Sequence, residues 1–541
     1  MQRRPPHSCA SFASFVSPAT PASCATPAAP AGGPPWRNAA QSRPGGRAWL
    51  PAGVLALACL ATGSHAQGLP AEFEAALARA KVPREAVAVV VQDTQAAPGA
   101  GLRISHRASV PMNPASVMKL VTTYAALDIL GPAFTWSTPV YADGPVQGGV
   151  LQGNLYIKGQ GDPKLVLERI WLLLRRLRGA GIASIQGDMV LDRSALEVPE
   201  QDPSQFDGEP LRPYNASPDA LLLNYKAVVM TFTPQAGSGQ ALVQWDPPLA
   251  GVQMPASVPL SRNADCGDYR GALRADFSDP SRMRFLGSYP LACGEKTWPM
   301  AYADPKTYAA RALQAMWQDM GGKLQGVVRQ GTVPAALLAE KPLLESTSPA
   351  LAEVIRDINK FSNNVMAQQL FLTLGRVPAA AAPGAASPAA TAAGGMVGWP
   401  DGSFAASRDM LGRWWKERLA GEDAPVLENG SGLSRNERIS AAALARMLQH
   451  AYRSPVMAEL MSSLPITGVD GTLRRFKTRT SGSAHLKTGS LSNVIARAGY
   501  VDAANGRRYV LVALVNHANA NTEAMRTAMD VLLETVAQKE N

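Results

Sequence analysis

The sequence predicts an α/β protein in which one domain of sheet and helices is interrupted by a long insertion, and three observations point there. Residues 86–93 (AVAVVVQD) are apolar and β-branched enough for a buried strand, and a helical stretch follows at 116–131. Two strand-like stretches and a closing amphipathic helix lie at the far C-terminal end. Between them, from about 137 to 306, the texture changes to short strand-like pieces separated by turns.

The elements follow in order. Residues 71–80 read as a short helix, and 102–108 as a partner for the strand at 86–93. Val117, Leu120, Val121, Tyr124 and Leu127 repeat at helical spacing, with Pro114 near the start and Gly131-Pro132 as the stop. Within the insertion, residues 168–178 (ERIWLLLRRLR) form a basic amphipathic helix, better suited to packing on its own module than to a membrane surface. Helical texture returns at 307, and 351–358 and 365–372 read as two helices. Residues 377–395 are an Ala/Pro run with no folding pattern. Residues 490–501 and 508–516 read as strands joined by a turn at Asn505-Gly506, and 522–538 as the last helix.

With 46% hydrophobic and 17% charged residues, the 541-residue chain has the composition of a globular protein with a sizeable core. The five arginines of residues 1–66, a stretch without acidic residues, supply half of the formal charge of +10. No basic run interleaved with aromatics suggests a nucleic-acid groove. Arg43 and Arg47, the apolar stretch 49–60 and Ser64-His65-Ala66 have the order of an export signal, with the mature chain starting near Gln67 and residing in the periplasm. The apolar stretch is too short to span a bilayer, and no integral membrane segment follows it. Cys59 offers a weaker lipoprotein reading. The patterns thus suggest 1–66 as extension and signal, followed by one α/β domain interrupted by an insertion at about 137–306.

Cys9, Cys24 and Cys59 fall in the leader, which leaves Cys266 and Cys293 as an even pair 27 residues apart. In an oxidising compartment they are expected to form a disulfide, the alternative being two separate buried thiols. The histidines after the leader (His106, His450, His485 and His517) make no metal-ligand spacing, so no metal or other cofactor is expected.

Three short motifs carry chemistry. Ser116-Val117-Met118-Lys119 places a hydroxyl and an ammonium at i and i+3 on one helical face, within hydrogen-bonding reach. A lysine in a poorly hydrated cleft near other cations loses its proton near neutral pH and can activate such a serine. Ser362-Asn363-Asn364 lies where one helical run stops and another starts, so a helix N-cap is the structural alternative for Ser362. Ser261-Arg262-Asn263 and Ser434-Arg435-Asn436 match the same SxN pattern. Lys487-Thr488-Gly489-Ser490 sits on a strand-like stretch, with Lys487 and Gly489 on one face and the glycine leaving room for a substrate backbone. An edge strand guarded by a lysine is the plain alternative there. None of the three is decisive alone, but their order is that of one catalytic design, shared by β-lactamases and penicillin-binding proteins.

On these motifs the chain resembles the class C low-molecular-mass penicillin-binding proteins, the D-alanyl-D-alanine carboxypeptidase/endopeptidase family. The 246-residue gap from Ser116 to Ser362 is similar to that family's and far longer than in class A or class C β-lactamases. GNLYIKGQGDPKL (153–165), YNASPDALLLNYK (214–226), the CGDYR and ACGE segments, NGSGLSR (429–435) and GVDGTLRRF (468–476) add to the likeness. Glu428, where relatives usually carry Asp, and the Ala/Pro run depart from it. The resemblance implies a transpeptidase or β-lactamase-like domain, with an antiparallel sheet between helical layers and two small inserted domains, residues 67–136 plus 307–541 forming the catalytic part and 137–306 the inserted accessory domains. It implies Ser116 as nucleophile and Lys119 as general base. Ser362, helped by Lys487, would relay the proton to the leaving D-amino acid. Asn364 would hold the substrate amide, and Lys487, Thr488 and Ser490 the terminal carboxylate. The N–H groups of Ser116 and Ser490 would form the oxyanion hole. Peptidoglycan stem peptides are the implied substrate, and β-lactam antibiotics the implied covalent inhibitors. A β-lactamase, a related Ser-Lys aminopeptidase or esterase, and a non-catalytic cell-wall binding protein of the same fold are the alternatives.

Overall fold

The computed structural model describes residues 68–538, apart from 98–99, 379–395, 397, 422 and 477–478. The export signal, Cys59 and most of the Ala/Pro run therefore lie outside the described residues. The catalytic part is built on a five-stranded sheet. Its strands are β1 (Val87–Asp93), β2 (Leu102–His106), β3 (Ala484–Leu491), β4 (Val494–Asp502) and β5 (Arg508–Asn516), in the order β2-β1-β5-β4-β3. Every neighbouring pair is antiparallel.

Two hydrophobic layers cover this sheet, and side-chain alternation assigns each residue to one of them. Val87, Val89 and Val91 of β1, with Leu511, Ala513 and Val515 of β5, pack against helices α1 (Ala71–Arg79) and α10 (Glu523–Gln538). Ala88, Val90, Val510, Val512 and Leu514 face the other way. They meet α2 (Lys119–Leu130), α5 (Leu351–Phe361), α6 (Asn364–Gly375), α7 (Phe404–Leu419) and α8 (Ala441–Arg453). Burial on both faces explains why β1 and β5 are apolar at nearly every position, unlike a strand with one wet side.

The strand expected at 490–501 is divided between β3 and β4. Ser492-Asn493 makes a tight turn between β3 and β4, with Asn493 at φ 67°, a conformation asparagine tolerates well. Ser490 thus belongs to the same strand as Lys487.

The inserted segment forms two groups of sheets around one shared hydrophobic cluster. It leaves the catalytic part at strand Ser137–Ala142, which pairs with Leu344–Thr347. Residues 307–347, expected in the catalytic part, therefore pair and pack with the insertion. Helix Tyr308–Asp319 supplies Tyr308, Leu313, Met316 and Trp317 to the inserted core. Their helical spacing was visible, but which core they enter depends on where the closing strand pairs. The basic helix Leu167–Gly179 buries Ile170, Leu173, Leu174 and Leu177 in the same cluster and leaves Trp171 and Leu172 exposed. No described helix is long and apolar enough to cross a membrane.

Cys266 and Cys293 are disulfide-bonded, with their Cα atoms 4.6 Å apart. Replacing both with serine is expected to lower unfolding stability by about 3–4 kcal/mol in the chain-entropy account of a loop of this size. Denaturant unfolding of the variant measures this, and a linked 266–293 peptide in a non-reducing digest of the parent checks the bond itself.

Candidate active site

Ser116 lies in a 3₁₀ turn, Ala115–Met118, that leads directly into α2. Ala115 has φ 47°, a backbone conformation that L-residues with a Cβ rarely adopt. Asn113 holds it there. Its Oδ1 accepts the Ala115 N–H at 2.8 Å, its Nδ2 donates to the Ser434 carbonyl at 2.9 Å, and its main chain exchanges two hydrogen bonds with the Asn516 side chain of β5. Ser116 itself stays partly exposed.

Lys119 has no exposed surface. Its Nζ donates to Ser116 Oγ at 2.9 Å, Asn364 Oδ1 at 2.6 Å and the Ser431 carbonyl at 2.5 Å. Burial, reinforced by repulsion from Lys487, holds its pKa well below the ordinary lysine value. Lys487 on β3 is equally buried, and desolvation lowers its pKa to about 7. Its Nζ donates to Ser362 Oγ at 2.8 Å and to the Thr488 carbonyl at 2.7 Å. Each lysine therefore faces one serine, and Asn364 stands beside the first pair.

Ser362 is not a helix N-cap. It occupies the left-handed region, at φ 57°, at the end of α5, and its neighbour Asn363 caps α6 by accepting the Met366 N–H at 3.0 Å. The sharp reversal presents Ser362 to Lys487 and puts Asn364 in the first turn of α6. Thr488 Oγ1 lies 2.9 Å from Thr472 Oγ1, and exposed Ser490 accepts from Asn521 Nδ2 at 2.8 Å.

Gly489 is required by a closer neighbour than a substrate. A Cβ at this position would lie 2.5 Å from the Pro114 carbonyl oxygen and 3.1 Å from Ser116 N. The missing side chain lets β3 press against the turn that carries Ser116. Gly432, at φ 77°, backs the same turn from the other side, where a Cβ would meet the Ala115 carbonyl oxygen at 2.0 Å.

The pattern of the D-Ala-D-Ala carboxypeptidase 3 (S13) family matches residues 69–393 and 402–536. The chain belongs to this family. Membership makes it a serine-type carboxypeptidase. A D-alanyl-D-alanine carboxypeptidase from Actinomadura is 27% identical over 491 residues, spanning 88% of this chain and 86% of that protein. Another from Haemophilus influenzae is 26% identical over 435 residues, spanning 76% and 82% respectively. The crystal structure of penicillin binding protein 4 from Haemophilus influenzae shares the fold, with a TM-score of 0.64 at 21% identity. It covers 86% of this chain and 98% of that one.

Within this S13 site, several contributors carry no signal in the three motifs. The Ser431 carbonyl acts directly, the Asn113 and Glu437 side chains act on backbone groups of other residues, and only the NGSGLSR stretch hinted at the first. The insertion also reaches the site, since the Tyr214 carbonyl accepts Asn364 Nδ2 at 3.3 Å and Phe206 lies under the Arg435 guanidinium at 4.7 Å. Of the two other SxN matches, Ser434 is buried and serves the loop. Its Oγ donates to the Glu428 carboxylate and accepts the N–H groups of Asn436 and Glu437 at 2.9 and 3.1 Å. Glu428 makes that contact directly. Ser261, the third match, sits on strand Ser257–Ser261 of the insertion.

Gly489→Ala forces β3 and the Ser116 turn apart and is expected to lower acylation by labelled penicillin about a hundredfold or more, as small displacements of reacting groups do. Stopped-flow acylation measures the rate, and circular dichroism checks that the sheet is retained.

Proposed function

We propose that the chain is an exported D,D-carboxypeptidase of the periplasm that cleaves the terminal D-alanine from peptidoglycan stem peptides through an acyl-enzyme on Ser116. The observation that carries this reading is the 2.9 Å contact between Ser116 Oγ and a fully buried lysine whose pKa is driven down by its surroundings. Neutral Lys119 takes the hydroxyl proton as Oγ attacks the carbonyl carbon of the penultimate D-alanine. The oxyanion is received by the N–H groups of Ser116 and Ser490. As the tetrahedral adduct collapses, the proton passes through Ser362 to the leaving amine while Lys487 holds the Ser362 oxygen. Water then attacks the ester, and Lys119 again accepts the proton. Asn364 fixes Lys119 and, through its amide, the substrate backbone. Charged Lys487 with Thr488 and Ser490 receives the terminal carboxylate. A β-lactam is attacked at its ring carbonyl by the same oxygen and remains bound as an ester. Endopeptidase cleavage of cross-links uses the same chemistry on a larger leaving group.

Ser116→Ala is expected to abolish covalent penicillin labelling, read by intact mass, because no other group supplies the acylated oxygen. Lys119→Ala is expected to slow acylation by about 10²–10⁴-fold, the usual contribution of a positioned base. Ser434→Ala, in the loop serine, should affect acylation much less than Ser362→Ala. Labelling of Ser116→Ala at the parent rate would overturn the assignment.

The pH profile of kcat/KM on a carboxylate-ending peptide should be bell-shaped. Activity rises as Lys119 gives up its proton, then falls above about 7 as Lys487 loses the charge that receives the substrate carboxylate. Lys487→Arg, whose guanidinium stays charged, should retain weakened activity while the alkaline limb moves upward. An alkaline limb unchanged in that variant would show that another group controls it.

A further inference from the structure

The loop that faces Lys119 is itself held by a carboxylate that takes no part in the mechanism above. Glu437 has no exposed surface. Its Oε1 accepts three successive backbone N–H groups, from Glu428, Asn429 and Gly430, at 3.0, 3.0 and 2.9 Å. Its Oε2 has no hydrogen-bonding protein partner, and no ion pair engages it among the described residues.

The carbonyls that leave this loop point to α2. Gly430 O accepts from Thr122 Oγ1 at 2.6 Å, and Ser431 O accepts from Lys119 Nζ at 2.5 Å. Asn429 Oδ1 ties the Ser431 N–H and hydroxyl at 3.0 and 2.7 Å. One side chain therefore fixes the amide side of a short loop whose carbonyl side fixes the lysine.

We propose that Glu437 is the positioning residue of the serine–lysine pair: it clamps the 428–431 loop so that the Ser431 carbonyl orients Lys119, and its negative charge favours the protonated form of Lys119 over the neutral base. The proposal rests on Lys119 being the base. Burial and the second lysine both disfavour charged Lys119, and a buried carboxylate nearby is a compensating charge. Attraction to Glu437 opposes the fall in the Lys119 pKa, while Lys487 on β3 promotes it. The Glu437 pKa is raised by burial and lowered in part by the three N–H donors and by Lys119. The other charged groups flanking the loop are Glu428, Arg435 and Arg438 on its own segment and Arg408 on α7. Glu428, Arg435 and Arg408 are exposed to water and Arg438 partly so, and their fields are accordingly screened.

Glu437→Gln keeps an oxygen for the three N–H groups and removes the charge. Loss of a neighbouring negative charge disfavours protonated Lys119, so the acid limb of penicillin acylation is expected to move to lower pH. Glu437→Ala removes the clamp as well, and acylation should fall about tenfold or more at every pH, the scale of hydrogen bonds to a charged group. Glu437→Asp should restore the acid limb toward the parent position. A Gln variant whose acid limb superimposes on the parent's, or whose rate drops as in Ala with no shift, overturns the proposal. Lys119→Ala, measured alongside, tests the base separately: acylation there at the parent rate removes the mechanistic reading rather than the clamp. Should the Gln variant fail to fold, parent protein labelled with ¹³C at glutamate carboxyls gives the same answer. A buried resonance still ionised at pH 7 is expected, and a protonated one overturns the proposal.

Discussion

Two lysine side chains share one cleft without exposed surface, and much of the catalytic part is arranged to make that tolerable. An ammonium taken out of water needs several acceptors or a counter-charge, otherwise it gives up its proton. Lys119 has three oxygen acceptors, and Lys487 has two. The acceptors come from the turn before α2, the α5–α6 junction, β3 and the 428–431 loop. No single element makes the site, so its chemistry is available only when the helical layer is docked on the sheet.

That docking explains the unusual backbone near Ser116. Ala115 in a left-handed conformation, the strand at Gly489 and the loop at Gly432 converge on Pro114, Ala115 and Ser116, where added side chains would collide. Asn113 offsets the strain by satisfying groups on three segments at once. The result is a hydroxyl that is partly exposed on a turn that is otherwise rigidly enclosed. Such preorganisation limits the reorganisation needed when charge develops in the transition state.

The inserted segment is more than a separate module carried along. It buries its own core, but its Tyr214 carbonyl holds Asn364, and its Phe206 packs under Arg435 of the 429–435 stretch. Arg435 in turn donates to the Ser492 carbonyl, in the turn that follows Ser490. The insertion, the loop beneath Lys119 and the end of β3 are thus joined by one side chain. Its exposed guanidinium position makes each link individually weak, yet the chain of contacts spans the cleft.

Local chemistry is what the sequence determined by itself. The apolar runs of β1 and β5, the helical spacing after Ser116 and the order of SxxK, SxN and KTG are written in neighbouring residues. Periodicity of 2 or 3.6 and a hydroxyl three places before a lysine need no tertiary information. Tertiary structure decided the rest. Where the insertion ends depends on Leu344–Thr347 pairing with Ser137–Ala142, a contact across about 200 residues that leaves no local pattern. Gly489 is explained by the Pro114 carbonyl rather than by a ligand, and Ser434 differs from Ser362 only in which partners surround it. Ser431 works through its own carbonyl, and the side chains of Asn113 and Glu437 work on main-chain donors and acceptors of other segments, groups that every residue type carries alike. Backbone groups become specific only when folding chooses their neighbours, so no side-chain motif announces them.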